Sequence, residues 1–177
     1  DTVCMIEFEP GAETKELALQ LRLFPLGGAL LLPGGILPLN IFEPRYLEMT
    51  RDALKTDHLI GMIQPADAES RAGKPRLFAI GCAGRIVEQT DTEDGRMLIE
   101  LMGVCRFEVV EELEVATPYR QARVDYSRFA ADLTGGDACP SAREPLLTAL
   151  RASIKNLEIG ADWTAITKAP DERLVNA

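Results

Sequence analysis

Histidine is almost missing from this sequence: His58 is the single one in 177 residues. Any Ser-His-Asp or Cys-His arrangement would have to be built on it. His58 stands at the expected exit of a helix, where an imidazole can meet the last helical carbonyls without doing chemistry. Paired cysteines are missing too. Cys4, Cys82, Cys105 and Cys139 form no Cys-x-x-Cys motif, so a structural zinc site would need ligands scattered over the chain. Free, mostly buried thiols in a reducing cytosol are the expectation. The chain lacks Gly-x-Ser-x-Gly, His-Glu-x-x-His, a Walker-type loop and Gly-x-Gly-x-x-Gly. With them go the signatures of serine hydrolases, zinc proteases, P-loop enzymes and dinucleotide binders. Ser-Lys catalysis would need no histidine, but Ser70, Ser127, Ser141 and Ser153 carry no context of an activated nucleophile. The residues nominate no catalytic group, no metal site and no cofactor.

Positive charge is short: 19 bases face 28 acids, for a net charge of -9, and no dense Lys/Arg run occurs. Phosphate recognition needs a concentrated basic patch, so nucleic acid is a disfavoured partner. A long apolar run is also lacking. The best candidate, residues 21–41, contains Arg22 and is broken by Pro25, Pro33 and Pro38, whereas a membrane-spanning helix needs about 18 consecutive apolar residues. No secretory signal pattern opens the sequence. A cytoplasmic location is expected. The first residue is Asp1 rather than Met, and residues 174–177 stop inside a helical pattern, so the natural chain is expected to continue. Aromatic residues are only 6%, which leaves aliphatic side chains to fill a core drawn from 46% apolar content.

What is present divides by period. Residues 1–15 read as a polar tail with one short strand at 3–8. Period-two alternation at Leu19, Leu21 and Leu23 predicts a strand over 17–24 that ends at Pro25. Turns at Gly27-Gly28 and Pro33-Gly34-Gly35 bracket a brief extended stretch at 30–32. The next strand, 36–41, holds Pro38, which cannot donate to a ladder and places that strand at an edge or a bulge. Pro44 suits the first helical position. Tyr46, Met49 and Ala53 recur at helical spacing, which predicts a helix over 44–56. Short strands follow at 59–64, 77–80, 85–90, 97–104, 105–112 and 119–126. Asp94-Gly95 marks a hairpin, and Gly81, Gly84 and Gly103 mark bulges or tight curling. Residues 65–76 read as a solvated loop and 130–140 as a linker. Beyond it the period turns helical, with Leu146, Leu147, Leu150, Ile154 and Leu157 as one stripe. Ser141 with Glu144, or Pro145, opens that helix; Gly160 stops it, and Asp162 caps another. The resulting class is α+β: a small curled β-barrel with one inserted helix, followed by a helical segment. The domains are 1–130, carrying the helix at 44–56, and 141–177.

The most distinctive residues are Leu23-Phe24-Pro25-Leu26-Gly27-Gly28, Leu32-Pro33-Gly34 and Leu37-Pro38-Leu39-Asn40-Ile41-Phe42-Glu43-Pro44-Arg45-Tyr46. Farther on come Gly81, Asp94-Gly95-Arg96, Gly103, Arg106-Phe107 and Pro118-Tyr119. Over about residues 21–126 this resembles the N-terminal, substrate-binding domain of Lon protease. It is most similar to small bacterial proteins made of this domain without the rest of the protease. The resemblance implies a PUA-like barrel followed by helices, and a role in recognising polypeptides. Lon adds an ATPase module and a Ser-Lys protease module, whose motifs this sequence lacks. A peptidase S16 relationship therefore describes ancestry rather than activity.

Large apolar side chains beside turns are candidates for exposed contacts: Phe24, Leu26, Pro33, Leu37 and Phe42, with Arg45 and Tyr46 at the helix entrance. The same Asn40–Tyr46 run also has a purely structural reading. Pro44 opens the helix, Tyr46 packs under it, Glu43 suits its positive end and Arg45 pairs with an acid. The expected function is a non-enzymatic polypeptide-binding or adaptor module. Its partner would be an unfolded or partly folded polypeptide or another protein, held in an apolar groove near Phe24, Phe42 and Tyr46. The alternative, from the PUA-like relationship, is RNA binding, which a clustered basic face of Arg71, Lys74, Arg76 and Arg85 would favour. No oligomeric state follows from the sequence.

Overall fold

The computed structural model describes residues 17–66 and 74–134, together with 144, 145, 147–149, 151 and 166. The chain divides into two compact units, Asp1–Thr134 and Gly135–Ala177. In the second, Glu144, Pro145, Leu147, Thr148, Ala149, Arg151 and Ile166 are helical. The expected strand at 3–8, Leu146, Leu150, Ile154 and Leu157 of the helical stripe, the signals at Ser141, Gly160 and Asp162, and the Gly135-Gly136 linker lie outside the described residues. No described helix is long and apolar enough to cross a membrane.

The first unit is mostly sheet. Its elements are β1 (Gln20–Pro25), β2 (Ile36–Ile41), α1 (Pro44–Leu54), β3 (Leu59–Pro65), β4 (Leu77–Asp91), β5 (Met97–Leu113), β6 (Arg120–Asp125) and a 3-10 helix over Ser127–Leu133. The strand order is β2-β5-β4-β3-β1-β6, and β6 pairs again with β5. Five strands thus form a ring and β2 hangs on the outer side of β5. Pro38 explains that place: a strand whose middle residue lacks an N–H tolerates one paired side only. β1 and β3 run parallel, with Leu23 opposite Gly61, and every other pair is antiparallel. A parallel pair needs a crossover connection, which the segment holding β2 and α1 supplies.

Four short strands expected between 77 and 112 are two long ones, of 15 and 17 residues. The glycines do not end these strands; they let them bend. A Cβ at Gly81 would lie 2.5 Å from both the Met62 carbonyl oxygen and the Phe107 ring. At Gly103 the backbone of Leu32 already occupies the place of a Cβ. Ladder register shifts between Ala83 and Gly84, opposite Gly103, and again between Ile86 and Glu88. Each shift adds twist, and a closing ring needs it. The stretch 30–32 forms no strand, and the 3-10 helix occupies the start of the expected 130–140 linker.

The helix begins as its sequence dictates. Glu43 is the extended cap residue and Pro44 the first-turn proline, while Tyr46, Met49, Thr50 and Ala53 face inward. It stops at Leu54, short of 56, because the chain turns left-handed at His58 (φ 58°), whose N–H bonds the Ala53 carbonyl at 2.9 Å.

Apolar side chains form two clusters. One fills the ring, with Leu21, Leu23, Ile63, Phe107, Val124 and Tyr126 among its members. The other lies between α1 and the sheet, with Phe24, Ile41, Tyr46, Met49, Ile60, Ile99 and Leu101. The 3-10 helix docks on β5 through buried Phe129 and a forked ion pair from Arg106 to Asp132 at 2.7 and 2.9 Å. Burial pushes the Asp132 carboxyl up, but the hydrogen bonds from the Arg106 side chain and backbone outweigh it and hold it below the usual carboxylate range.

Candidate functional site

The seven residues singled out from the sequence do not share one surface. Phe24 and Tyr46 are buried with ring centroids 4.3 Å apart. Both belong to the α1 core. For Phe24 this corrects its assignment as an exposed contact, whereas Tyr46 takes the inward position that its helical spacing with Met49 and Ala53 predicts, because the register that begins at Pro44 turns it onto the core. Leu26 and Leu37 are half-buried against the same core, and Pro33 is half-buried. Arg45 is exposed, pairs with Glu43 at 2.8 Å and lies 4.5 Å over the Tyr46 ring. Phe42, between strand and helix, is 62% exposed, with the Arg96 guanidinium 6.0 Å from its ring. Tyr46→Ala should therefore cost about 2–4 kcal/mol, as a large-to-small core change does, and Phe42→Ala under about 1 kcal/mol. Chemical denaturation of both variants checks the contrast; equal losses would make Phe42 part of the core.

A different set of apolar side chains is brought together in the open. On β4, Phe78, Ile80 and Cys82 alternate onto one face. On β5, Arg106 lies opposite Cys82 and Glu108 opposite Ile80, and Val110, two residues farther on, is exposed at the ladder irregularity between Val109 and Glu111. Toward Cys82 the segment 26–35 covers this face. It is tied down by Leu26 N–H to the Ile63 carbonyl at 3.0 Å, Gln64 Nε2 to the Ala29 carbonyl at 2.5 Å, and reciprocal Gly34–Gly103 and Gly103–Gly35 bonds at 2.8 Å. Within this segment Leu31 is buried, whereas Leu30 projects outward. Past its rim the face is bare. Leu30 is 69% exposed, Phe78 55%, Val110 50% and Ile80 41%. Between strap and sheet opens a cleft of about 80 Å³, lined by Leu30, Leu32, Met62, Ile80, Cys82 and Arg106 among others.

The chemistry of this place is that of a contact surface. Burial pushes the Cys82 thiol up to about 12, which keeps it neutral and unreactive near pH 7. Arg106 is engaged by Asp132. Among the described residues no group of three or more His, Cys, Asp or Glu side chains is placed to hold a metal ion. What remains is a rigidly backed apolar strip beside a narrow cleft, suited to apolar side chains of another chain. Sequence reasoning missed Leu30, Phe78, Ile80 and Val110. Residues 77–80, Leu-Phe-Ala-Ile, are apolar on both strand faces, so the sequence does not mark which face stays open.

Among the described residues, the basic side chains named for an RNA face give that alternative no support. Lys74 pairs with Glu112 at 2.8 Å, and so does Arg120, at 2.6 Å. Arg85 donates to the Asp57 carbonyl at 3.2 Å. Arg71 lies outside the described residues.

Comparison with known proteins gives these features a context. The family model of the ATP-dependent protease La (LON) substrate-binding domain matches residues 20–173. The chain is similar to Lon protease 2 of Myxococcus xanthus, with 34% identity over 118 residues, which is 66% of this chain and 14% of that protein. To Lon protease of Flavobacterium johnsoniae it is 25% identical over 154 residues, 86% of this chain and 18% of that one. It thus spans less than a fifth of these relatives. Among solved structures it resembles a Lon N-terminal domain protein from Xanthomonas campestris, with a TM-score of 0.56 and 28% identity over 75% of this chain and 72% of the other. The N-terminal domain of Mycobacterium avium complex Lon protease superimposes with a TM-score of 0.63, covering 89% of this chain and 80% of that one, at 12% identity, a likeness of fold.

Proposed function

The chain belongs to the family of Lon protease substrate-binding domains, and from that premise we propose that it is a non-enzymatic polypeptide-recognition or adaptor module of the cytoplasm. Its ligands are segments of unfolded or partly folded proteins whose apolar side chains cover Leu30, Phe78, Ile80 and Val110. The carrying observation is that these four large side chains lie 41–69% exposed, with Leu30 and Ile80 lining one cleft beside a pinned strap. In this reading residues 1–130 form a PUA-like barrel that serves as the recognition domain, and 141–177 a separate helical subdomain.

Magnitudes set the expected strength. Covering each half-exposed side chain returns about 1 kcal/mol, so one segment gains about 4 kcal/mol before the cost of association is met. A single segment is held weakly and released readily. An unfolded client with several such segments binds more tightly through raised effective concentration. A folded protein, with its apolar groups inside, offers nothing to this surface.

Titrating the chain with fluorescently labelled lactalbumin, once native and once reduced and carboxymethylated, tests this directly. Saturable binding of the unfolded form and none of the native form is expected. Equal affinity for both forms, or binding of neither, would overturn the proposal.

A further inference from the structure

A second sheet face carries another pattern. β2 and the far halves of β5 and β4 form a three-stranded extension. Across it Ile36 lies opposite Met102, Pro38 opposite Glu100 and Asn40 opposite Leu98, while on the other side Glu88 lies opposite Glu100 and Thr90 opposite Leu98. The alternate residues Leu37, Leu39, Ile41, Ile99 and Leu101 pack into the α1 core, so these pairs all face outward together. Ile36 and Leu98 are exposed. Glu88 and Glu100 are directly opposed carboxylates, an arrangement that destabilises a ladder unless a cation comes between them. Neither carboxylate forms an ion pair with any described residue.

Spacing and charge together define what completes this face. Leu98, Glu100 and Met102 follow one another at about 7 Å along β5, the two-residue repeat of any extended chain. A segment laid along β5 would set one side chain over Leu98, the next but one between Glu100 and Glu88, and a third over Met102 and Ile36. We infer that this face docks an extended, basic polypeptide segment of pattern apolar-x-basic-x-apolar, its Lys or Arg seated between Glu88 and Glu100. The net charge of -9 adds attraction for such a partner at longer range. This surface is distinct from the Leu30–Phe78–Ile80–Val110 strip and does not depend on it.

The probe is a labelled peptide, Ser-Leu-Ser-Lys-Ser-Leu-Ser, titrated into the whole chain by fluorescence anisotropy, with Glu in place of Lys as its control. The Lys peptide should bind, weaken with added salt, and lose about tenfold or more in affinity when Glu88→Gln and Glu100→Gln are combined. The Glu peptide should not bind. Leu98→Ser, an exposed change that spares the fold, should weaken the Lys peptide as well. Phe78→Ser with Ile80→Ser should leave it unchanged, which separates this face from the other strip. Undiminished binding of the Lys peptide to the doubly neutralised chain, or no binding to the native chain, would overturn the inference. So would self-association in sedimentation that Leu98→Ser abolishes, since the face would then belong to a second copy.

Discussion

Phe107→Ala should destabilise the first unit by about 3–5 kcal/mol, the range for emptying a buried aromatic site. Phe107 is fully buried within the ring and meets Tyr126 edge-on, with centroids 6.4 Å apart. Its ring also fills the space left by two glycines: a Cβ on Gly61 or Gly81 would come within 3.1 or 2.5 Å of it. The strands around it are tied into a closed circuit, so the cavity cannot collapse by one strand moving alone. The loss should therefore sit at the high end. Gly61→Ala should cost less in the Phe107→Ala background than in the native chain, because the ring it would strike is gone. The two changes then fail to add, as expected for residues in contact. Denaturant midpoints of the four chains check both statements; a loss below about 1 kcal/mol for Phe107→Ala would mean that the ring interior is not the core.

Much of this architecture is legible in the chain. Pro38 announces an edge strand, Pro44 with Tyr46, Met49 and Ala53 announces α1, and Asp94-Gly95 announces the β4–β5 hairpin, where the chain turns through Gly95 at φ 81°. Local chemistry decides those features, and local chemistry is what a sequence displays. Strand continuity is different. Gly81 and Gly84 read as bulges or tight bends, and the ladder does shift beside Gly84, but the separate strands expected on either side of them are one continuous β4, with the Phe107 ring, the Met62 carbonyl and the Leu31 side chain in the space beside these glycines. Those neighbours are distant in sequence.

The site was less legible than the fold, for the same reason. Phe24 and Phe42 look alike in sequence, each a phenylalanine beside a turn. Phe24 meets Tyr46 from α1 and is buried; Phe42 falls between elements and is not. Ile80 and Cys82 lie on the same face of β4 two residues apart, but the strap 26–35 reaches only one of them fully. Alternation places residues on a face. Whether that face is covered depends on where a remote segment crosses it, and the bonds at Gln64 and Gly103 that fix the crossing carry no hydrophobic signal.

The second large effect concerns recognition. Phe78→Ser combined with Ile80→Ser removes two side chains that are 55% and 41% exposed, so stability should change by less than about 1 kcal/mol. Each contributes about 1 kcal/mol to a covered client, and together they should account for about thirtyfold in affinity. Phe42→Ala, which removes an exposed aromatic away from this strip, should leave client binding within about twofold, well inside the loss at 78 and 80. The decisive measurement is the dissociation constant of reduced, carboxymethylated lactalbumin for the native chain, Phe78→Ser/Ile80→Ser and Phe42→Ala, each verified as folded. A loss of about thirtyfold confined to the 78/80 variant is the predicted result; undiminished binding by that variant, or a loss confined to Phe42→Ala, would contradict the assignment of the recognition surface.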